Sequence, residues 1–180
     1  MLKIKYPIIL KGRRKIELFA INKVNIIGQW LEFGVADGNS INFIAKQTKN
    51  IVYGFDSFKG LPEKWTGISG RKYSIGAFKQ KKLPKIENNV SLIIGMFQET
   101  LSNFKKEQIA FLHLDADLYS STIFILNELN NYIVKGTIII FDEYFSPEHE
   151  EKATKEWIKN YNRKIKYLAK NKSQLVIEVQ

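Results

Sequence analysis

The sequence contains no cysteine, which excludes disulfide bonds, zinc-thiolate sites and a cysteine nucleophile. It has no apolar run of the roughly 18 residues that a membrane-spanning helix requires. Residues 1–7 lack the sustained apolar stretch of a secretory signal, so we expect a cytoplasmic protein. The chain has 180 residues, 44% of them hydrophobic, which suffices for one sizeable core but not for two. We therefore predict one domain over residues 1–180, with 1–27 as a short N-terminal extension.

Basic residues outnumber acidic ones, which gives a net charge of +10. A field of that sign attracts nucleic acid, anionic glycans or sugar phosphates, although a dispersed basic surface needs no partner. Basic residues are dense at 11–15, 71–85 and 163–166. None of these segments alternates with aromatic residues as a base-stacking platform does. Nucleic-acid binding therefore stays an alternative, which predicts one coherent basic face and salt-dependent affinity.

From residue 28 onward, apolar strand-like runs alternate with helical patterns, which is typical of a parallel sheet with crossover helices. The patterns predict strands at 30–34, 51–55, 90–94, 109–114, 136–141, 166–168 and 174–178. They predict helices at 40–48, 99–105, 120–132 and 150–162. This order predicts an α/β fold with a seven-stranded, mostly parallel sheet, an antiparallel last strand and helices on both faces. Ligands of such open sheets bind outside the carboxyl ends of the strands.

The first predicted strand ends in a glycine-bearing turn, EFGVADGNS at residues 32–40, that leads into a helix. Glycines let a ligand approach the backbone, and a helix N-terminus presents free N–H groups to an anion. Ser40 replaces the third glycine of a dinucleotide fingerprint, and Glu32 and Asp37 would repel a pyrophosphate. The two acids suit a ligand with an ammonium group, such as the methionine end of S-adenosylmethionine. The alternative is an ordinary turn in which Asn39 or Ser40 caps the helix.

The second predicted strand ends in Asp56, about 20 residues after the glycine turn. A carboxylate at that position commonly holds a ribose, because it accepts hydrogen bonds from both hydroxyl groups. The alternative is that Asp56 only begins a turn, as aspartate often does. The distance from the glycine turn favours ribose binding.

Acidic residues follow two neighbouring predicted strands: Asp115 and Asp117 the fourth, and Asp142 and Glu143 the fifth. Carboxylates gathered at one sheet edge repel one another unless a cation compensates them. Oxygen ligands select a hard ion such as Mg²⁺ or Ca²⁺. The pattern thus predicts a metal site, the alternative being helix capping by Asp117 and a solvated Glu143.

The two histidines carry less information. His113 lies inside an apolar strand, where a hydrogen-bonded core residue is the usual case. His149 follows the acidic residues and is either an exposed loop histidine or a general base.

Taken together, four blocks resemble the macrocin O-methyltransferase family: EFGV at 32–35, GFDSFKGLP at 54–62, LHLDADLYSST at 112–122 and FDEY at 141–144. The resemblance extends from about residue 30 to residue 157. It implies a Rossmann-like class I methyltransferase fold and an S-adenosylmethionine-dependent enzyme that methylates hydroxyl groups of sugars and glycans.

The resemblance also implies roles for residues at the carboxyl ends of the strands. The cofactor site would comprise Glu32, Gly34, Asp37, Gly38, Ser40, Asp56, Ser57, Phe58, Gly95, Met96, Phe97, Gln98 and Asp115. Mg²⁺ would be bound by Asp115, Asp142 and Glu143, the last standing where the family usually has a second aspartate. As catalytic residues we predict Asp115, which takes the hydroxyl proton, and His149 as a reserve base.

Family members often carry a longer helical N-terminal region that helps to form the acceptor pocket and a dimer. In this chain residues 59–84 are the candidate lid, where Trp65 and Tyr73 either stack on a sugar or anchor the loop. We therefore expect a Mg²⁺-assisted O-methyltransferase with a small-molecule or glycan acceptor, anionic or neutral, and a homodimer as a further expectation. The alternatives are an RNA methyltransferase, a catechol O-methyltransferase and a non-catalytic S-adenosylmethionine-binding protein.

Overall fold

The computed structural model describes residues 7–180. The strands are β1 (Ile8–Ile9), β2 (Gln29–Phe33), β3 (Val52–Asp56), β4 (Trp65–Thr66), β5 (Lys72–Tyr73), β6 (Val90–Ile94), β7 (Ile109–Leu114), β8 (Ile133–Phe141), β9 (Ile165–Lys170) and β10 (Leu175–Val179). The helices are α1 (Arg13–Ile21), α2 (Asn39–Ala45), α3 (Phe97–Asn103), α4 (Tyr119–Glu128) and α5 (Glu150–Asn160).

Eight strands form one sheet in the order β1-β9-β10-β8-β7-β2-β3-β6. The strands β2, β3, β6, β7 and β8 are parallel to their neighbours in this set, and β10 is antiparallel to both β8 and β9. The predicted mostly parallel sheet with an antiparallel last strand is therefore confirmed. The prediction of seven strands is one too few, because β1 adds a short parallel strand at the outer edge of β9.

The core lies on both faces of the sheet, and β8 shows why. Its last four side chains, Ile138 to Phe141, are apolar in succession. Successive residues of a strand face opposite sides of the sheet, so these side chains are buried on both faces. Ile138 and Ile140 pack with residues of α1 and α2, whereas Ile139 and Phe141 pack with residues of α3, α4 and α5. All four side chains are fully buried. Helices on both faces are thus confirmed.

Helix ends differ from the sequence prediction by a few residues. The helix predicted at 120–132 ends at Glu128, and β8 already begins at Ile133. In α5, Trp157 is fully buried as its helical spacing predicts, but Tyr161 lies just past the helix end and is 42% exposed. Within residues 7–180, no helix combines the length and the apolar character needed to cross a membrane.

The N-terminal extension contains α1, which the sequence analysis left without structure. Its residues Ile16, Ala20 and Ile21 lie on one side of the helix and are buried in the core. The helix begins after Gly12 without a side-chain cap, so the usual signal for a helix start is missing from the sequence.

Residues 59–84 form a loop that contains the small hairpin of β4 and β5. Trp65 stacks on Tyr73 with ring centroids 4.8 Å apart. Trp65 is 5% exposed and packs with Leu61 and with Leu118, which precedes α4. Of the two interpretations of these aromatic residues, the structure supports anchoring of the loop.

Candidate functional site

A cavity of about 660 Å³ opens at the carboxyl ends of β2, β3, β6, β7 and β8, where open α/β sheets bind their ligands. Its size is typical of sites for small molecules. We call one part of its wall the cofactor end: Gly34, Asp37, Ser40, Asp56, Ser57, Gly95, Met96, Phe97 and Gln98. The acid end comprises Asp115, Asp117, Asp142 and Glu143. Residues of α1 and of the 59–84 loop complete the wall: Arg13, Arg14, Trp65, Tyr73 and Phe78 among them.

Gly34 stands at the boundary between the two ends. Its φ is +90°, and a Cβ at this position would lie 1.9 Å from the carbonyl oxygen of Asp115. Its N–H donates to the Phe55 carbonyl at 2.9 Å. Glycine is therefore required here by the close approach of the β2 and β7 ends, and not only by access of a ligand.

The turn before α2 is held by its own side chains. Gly38, with a φ of +81°, is the N-cap of α2, so the alternative that Asn39 or Ser40 caps the helix is wrong. A Cβ on Gly38 would lie 2.8 Å from Pro84, and Gly38 is absent from the cavity wall. Asp37 accepts hydrogen bonds from the backbone N–H and the side-chain amide of Asn39, at 3.1 and 2.6 Å.

Asp56 fixes the glycine turn from the end of β3. Its Oδ2 accepts the N–H groups of Val35 and Ala36 at 2.9 and 2.8 Å, and its Oδ1 accepts that of Phe58 at 2.7 Å. A carboxylate has about four lone-pair positions, so one acceptor position on Oδ1 remains for a ligand. Asp56 and Ser57 line the cavity, while the Phe58 side chain is buried in the core instead.

A buried polar chain connects the cofactor end to the acid end. Ser40 Oγ donates to Glu32, which is fully buried beneath the cavity and does not line it. His113 lies between the two carboxylates, with Nδ1 3.7 Å from Glu32 Oε1 and Nε2 3.5 Å from Asp142 Oδ1. Burial opposes protonation, but the interactions with Asp142 and Glu32 raise the pKa of His113 to about 10. The contacts with these two carboxylates thus favour the charged form of His113.

The end of β6 contributes four successive residues to the cavity wall, Gly95, Met96, Phe97 and Gln98. Helix α3 begins directly after Met96, and Phe97 packs edge-on against Phe33 at 5.4 Å. The family resemblance assigns these four residues to the cofactor site, and that role stays a prediction.

The acid end contains a cation from α1. Arg13 Nη2 donates to Asp115 Oδ2 at 2.5 Å and lies 3.3 Å from Asp142 Oδ1. The Asp115 side chain is 22% exposed, whereas that of Asp142 is 6% exposed. Gln174 Nε2 also donates to Asp142 Oδ1, at 2.6 Å. The carboxylates of two strand ends are thus compensated by residues from other elements.

Burial and mutual repulsion shift the pKa values of these carboxyl groups. Burial, with the charge of Asp142, raises the pKa of Asp115 to about 7 against the opposing effect of Arg13. The same two causes raise the pKa of Glu143 to about 7. Burial raises the pKa of Asp117 well above its ordinary value. Burial acts on Asp142 too, but His113 and Arg13 outweigh it and lower its pKa. The site thus holds groups that gain and lose protons near neutral pH.

Two residues, His149 and Glu150, lie behind the acid end. Glu150 is fully buried and accepts the backbone N–H of Glu143 at 2.9 Å through Oε2. Within residues 7–180, its Oε1 has no hydrogen-bond partner. His149 precedes α5 and accepts the Tyr119 N–H at 3.4 Å through Nδ1, outside the cavity wall. This position gives the reserve-base role of His149 no support.

Sequence reasoning missed Arg13, Arg14 and Glu150. The i, i+4 spacing of Arg13 and Glu17 beside apolar Ile16 indicates a helix at the start of the chain. That pattern would have found α1, but it contains no signal for the contact between Arg13 and Asp115.

A sequence model of the family described as macrocin-O-methyltransferase (TylF) matches residues 12–169. The chain belongs to the macrocin-O-methyltransferase family. It is therefore an S-adenosylmethionine-dependent O-methyltransferase, which confirms the enzyme class and the cofactor predicted from sequence. The family match begins before α1, so it includes the helix that carries Arg13.

Solved structures share this fold. The O-methyltransferase NovP superposes with a TM-score of 0.73 at 21% identity, over 92% of this chain and 78% of NovP. The calicheamicin methyltransferase CalS11, described as a TDP-rhamnose 3'-O-methyltransferase, gives 0.74 at 20% identity, over 92% and 77%. A structure of CmcI described as Mg-SAM gives 0.62 at 15% identity, over 94% and 72%. No curated protein sequence matches the chain.

Proposed function

We propose that this macrocin-O-methyltransferase family member transfers a methyl group to a hydroxyl group of a sugar or glycan-like small molecule, with Mg²⁺ at the acid end. The observation that carries the proposal is one cavity whose wall joins the cofactor end to the acid end. The likeness to CalS11, a TDP-rhamnose methyltransferase, supports a nucleotide-linked sugar as the acceptor to test first.

The donor set of the acid end fits Mg²⁺. The ligand atoms of His113, Asp115 and Asp142 lie within 4.8 Å of one another. His113 is fully buried and does not line the cavity, which leaves carboxylate oxygens from Asp115, Asp142 and Glu143, all in the cavity wall, as the ligands. Oxygen ligands alone are what Mg²⁺ prefers. The Mg-SAM structure of CmcI supports this assignment.

The residues of the chain then have separate roles in cofactor binding and methyl transfer. Asp56 holds the ribose and the turn from Gly34 to Gly38 holds the methionine end of the cofactor. S-Adenosylmethionine supplies the methyl group, and Mg²⁺ would lower the pKa of the acceptor hydroxyl and orient it. Asp115 accepts the hydroxyl proton as the oxygen–carbon bond forms and the sulfur–carbon bond breaks.

We further propose that the chain is a single methyltransferase domain in which residues 59–84 cover the acceptor. The loop contributes Trp65 and Tyr73 to the cavity wall. The loop contacts the start of α4, where Ser120 Oγ donates a hydrogen bond to Glu63 Oε1 at 2.6 Å. These contacts support a wall that is anchored at the start of α4 and that shapes the acceptor side of the cavity.

Calorimetric titration with S-adenosylmethionine tests the assignment of the two ends. We expect Asp56→Ala to abolish cofactor binding, because it removes the acceptor that fixes the turn. Asp142→Asn should leave cofactor binding largely intact and abolish Mg²⁺-dependent methylation of TDP-sugars, read as release of S-adenosylhomocysteine. Cofactor affinity that survives Asp56→Ala, or methylation that is equal in EDTA and in Mg²⁺, would contradict the proposal.

Two predictions about partners remain open to direct measurement. The arginines nearest the cavity are paired with acids, Arg13 with Asp115 and Arg14 with Glu17, so they do not form an open basic face for RNA. RNA affinity that falls steeply between 50 and 200 mM salt would revive that alternative.

Sedimentation velocity tests the predicted homodimer.

A further inference from the structure

The guanidinium of Arg13 lies among the carboxylates that the proposed function assigns to Mg²⁺. One nitrogen, Nη2, contacts both Asp115 at 2.5 Å and Asp142 at 3.3 Å. Mg²⁺ requires its oxygen ligands at about 2.0–2.1 Å in near-octahedral geometry. A guanidinium between the same two oxygens takes the space in which such an ion would lie, so the two cations exclude each other.

We infer that Arg13 is an internal counter-ion that competes with Mg²⁺ for Asp115 and Asp142 and leaves the acid end when the metal binds. The inference rests on the proposed metal-assisted function. It concerns a residue of α1 that performs no step of methyl transfer but determines how tightly the metal is held.

The surroundings of Arg13 allow this exchange. Its side chain is 43% exposed and extends from the first residue of α1, so rotation about its own bonds can carry the guanidinium away. The residue that Arg13 would abandon, Glu17, is fully buried. Arg14 Nη1 donates to Glu17 at 2.6 Å, so departure of Arg13 does not leave this buried charge without a partner.

Arg14 also keeps α1 in place while Arg13 moves. Its Nη2 donates to the Asn39 carbonyl at 2.9 Å, and its guanidinium lies 4.7 Å from the centre of the Phe43 ring. The two neighbouring arginines therefore differ in what they contact. Arg14 connects α1 to the turn at the start of α2, whereas Arg13 connects it to the acid end.

The exchange also has a physical benefit for the metal-free protein. Carboxylates at neighbouring strand ends repel one another when no cation lies between them. Arg13 supplies that cation until Mg²⁺ replaces it, and Asp142 has two further contacts, with His113 and Gln174. The cost is a weaker apparent affinity for the metal, because Mg²⁺ must first displace an ion pair.

Calorimetric titration of MgCl₂ into the EDTA-treated full chain, without acceptor, tests the inference. Arg13→Gln should bind Mg²⁺ roughly 10-fold more tightly than the wild type, within the usual range of coupling between two ligands. Lys15→Gln, the matched control on the same helix, should stay within about two-fold of the wild type, because Lys15 is exposed and absent from the cavity wall. Arg13→Lys keeps the charge and should lie between wild type and Arg13→Gln. If Arg13→Gln is poorly folded, Arg13→Lys alone decides.

A thermal unfolding series gives a second reading that does not depend on activity. In EDTA, Arg13→Gln should have a lower melting temperature than the wild type. Mg²⁺ should raise the melting temperature of Arg13→Gln by more than it raises that of the wild type. If the wild type binds Mg²⁺ and Arg13→Gln binds it equally or more weakly, the inference is wrong, whereas the proposed function stands. Absence of Mg²⁺ binding in both proteins would overturn the metal-assisted function together with the inference.

Discussion

The two ends of the cavity compensate their acidic groups in different ways. At the cofactor end, Asp56 is matched by three backbone N–H groups, two of them from the turn it supports. At the acid end, Asp115 and Asp142 are matched by Arg13 and Gln174, which come from opposite ends of the chain. The cofactor end is thus shaped by short segments and backbone geometry, whereas the acid end depends on long-range packing and on a cation.

The contrast between the two ends is tested most directly at Gly34, which stands at the boundary between them. Gly34→Ala would place a Cβ 1.9 Å from the Asp115 carbonyl oxygen at a φ of +90°. We expect it to lower the free energy of unfolding by more than about 4 kcal/mol, since backbone strain and a steric clash add. Urea denaturation followed by circular dichroism measures the change.

Gly70→Ala is the control for this prediction. Gly70 has a φ of +77° but no atom within 4 Å of the added Cβ, so only the backbone cost of about 1 kcal/mol should appear. Equal losses for the two variants would show that contact between the β2 and β7 ends is not what demands glycine at position 34.

A pH series of the metal-free protein sharpens the contrast between the ends. Asp115 and Glu143 have pKa values of about 7 in the folded protein, above their ordinary values. Between the unfolded and the folded pKa, the folded state binds more protons, so the free energy of unfolding in EDTA should fall as pH rises from about 5 to 8. The slope is at most about 1.4 kcal/mol per pH unit for each group. Thermal melts across this range measure it.

Asp115→Asn should give a shallower slope, because it removes one of the two titrating groups. Saturating Mg²⁺ should also flatten the slope, since a bound cation favours the charged carboxylates. Stability that rises across this range in EDTA would mean that Arg13 outweighs the repulsion at the acid end.

The smallest effect is expected behind the acid end, at Glu150. Burial, then the charges of Asp142 and Asp115, raise its pKa well above the ordinary value, and this favours the neutral form of the side chain, which Gln mimics. Glu150→Gln should change the free energy of unfolding by within about 0.5 kcal/mol. Glu150→Ala should cost about 1–3 kcal/mol, because it leaves the Glu143 N–H unpaired. A decrease of more than about 2 kcal/mol in the free energy of unfolding of Glu150→Gln would show that Glu150 is ionised.

The sequence predicted those parts of the fold and site that depend on local pattern. The strand ends at Asp56, Asp115 and Asp142 follow apolar runs, and the alternation of strands and helices places them at one edge. Strand β1 was missed because two residues are too few for a pattern. The contact between Arg13 and Asp115 joins residues 102 positions apart, and no local pattern records such a pairing.

The burial of Glu32 has a similar explanation. Neighbouring residues of a strand face opposite sides of the sheet, and Glu32 lies in register with His113 of β7. From the sequence, an acid next to a glycine turn predicts a ligand contact. Only the pairing of β2 with β7 shows that a buried histidine is its partner.

Gln174, immediately before β10, donates to Asp142, and this contact sets an order of events for the newly made chain. Synthesis proceeds from the N-terminus, so the strands β2, β3, β6, β7 and β8 are available for pairing before the final hairpin of β9 and β10 exists. A nascent chain that has emerged through β8 has the elements of the cofactor end, while Asp142 still lacks its amide partner. The acid end is therefore completed only when the hairpin of β9 and β10 pairs with β8 and brings Gln174 to Asp142.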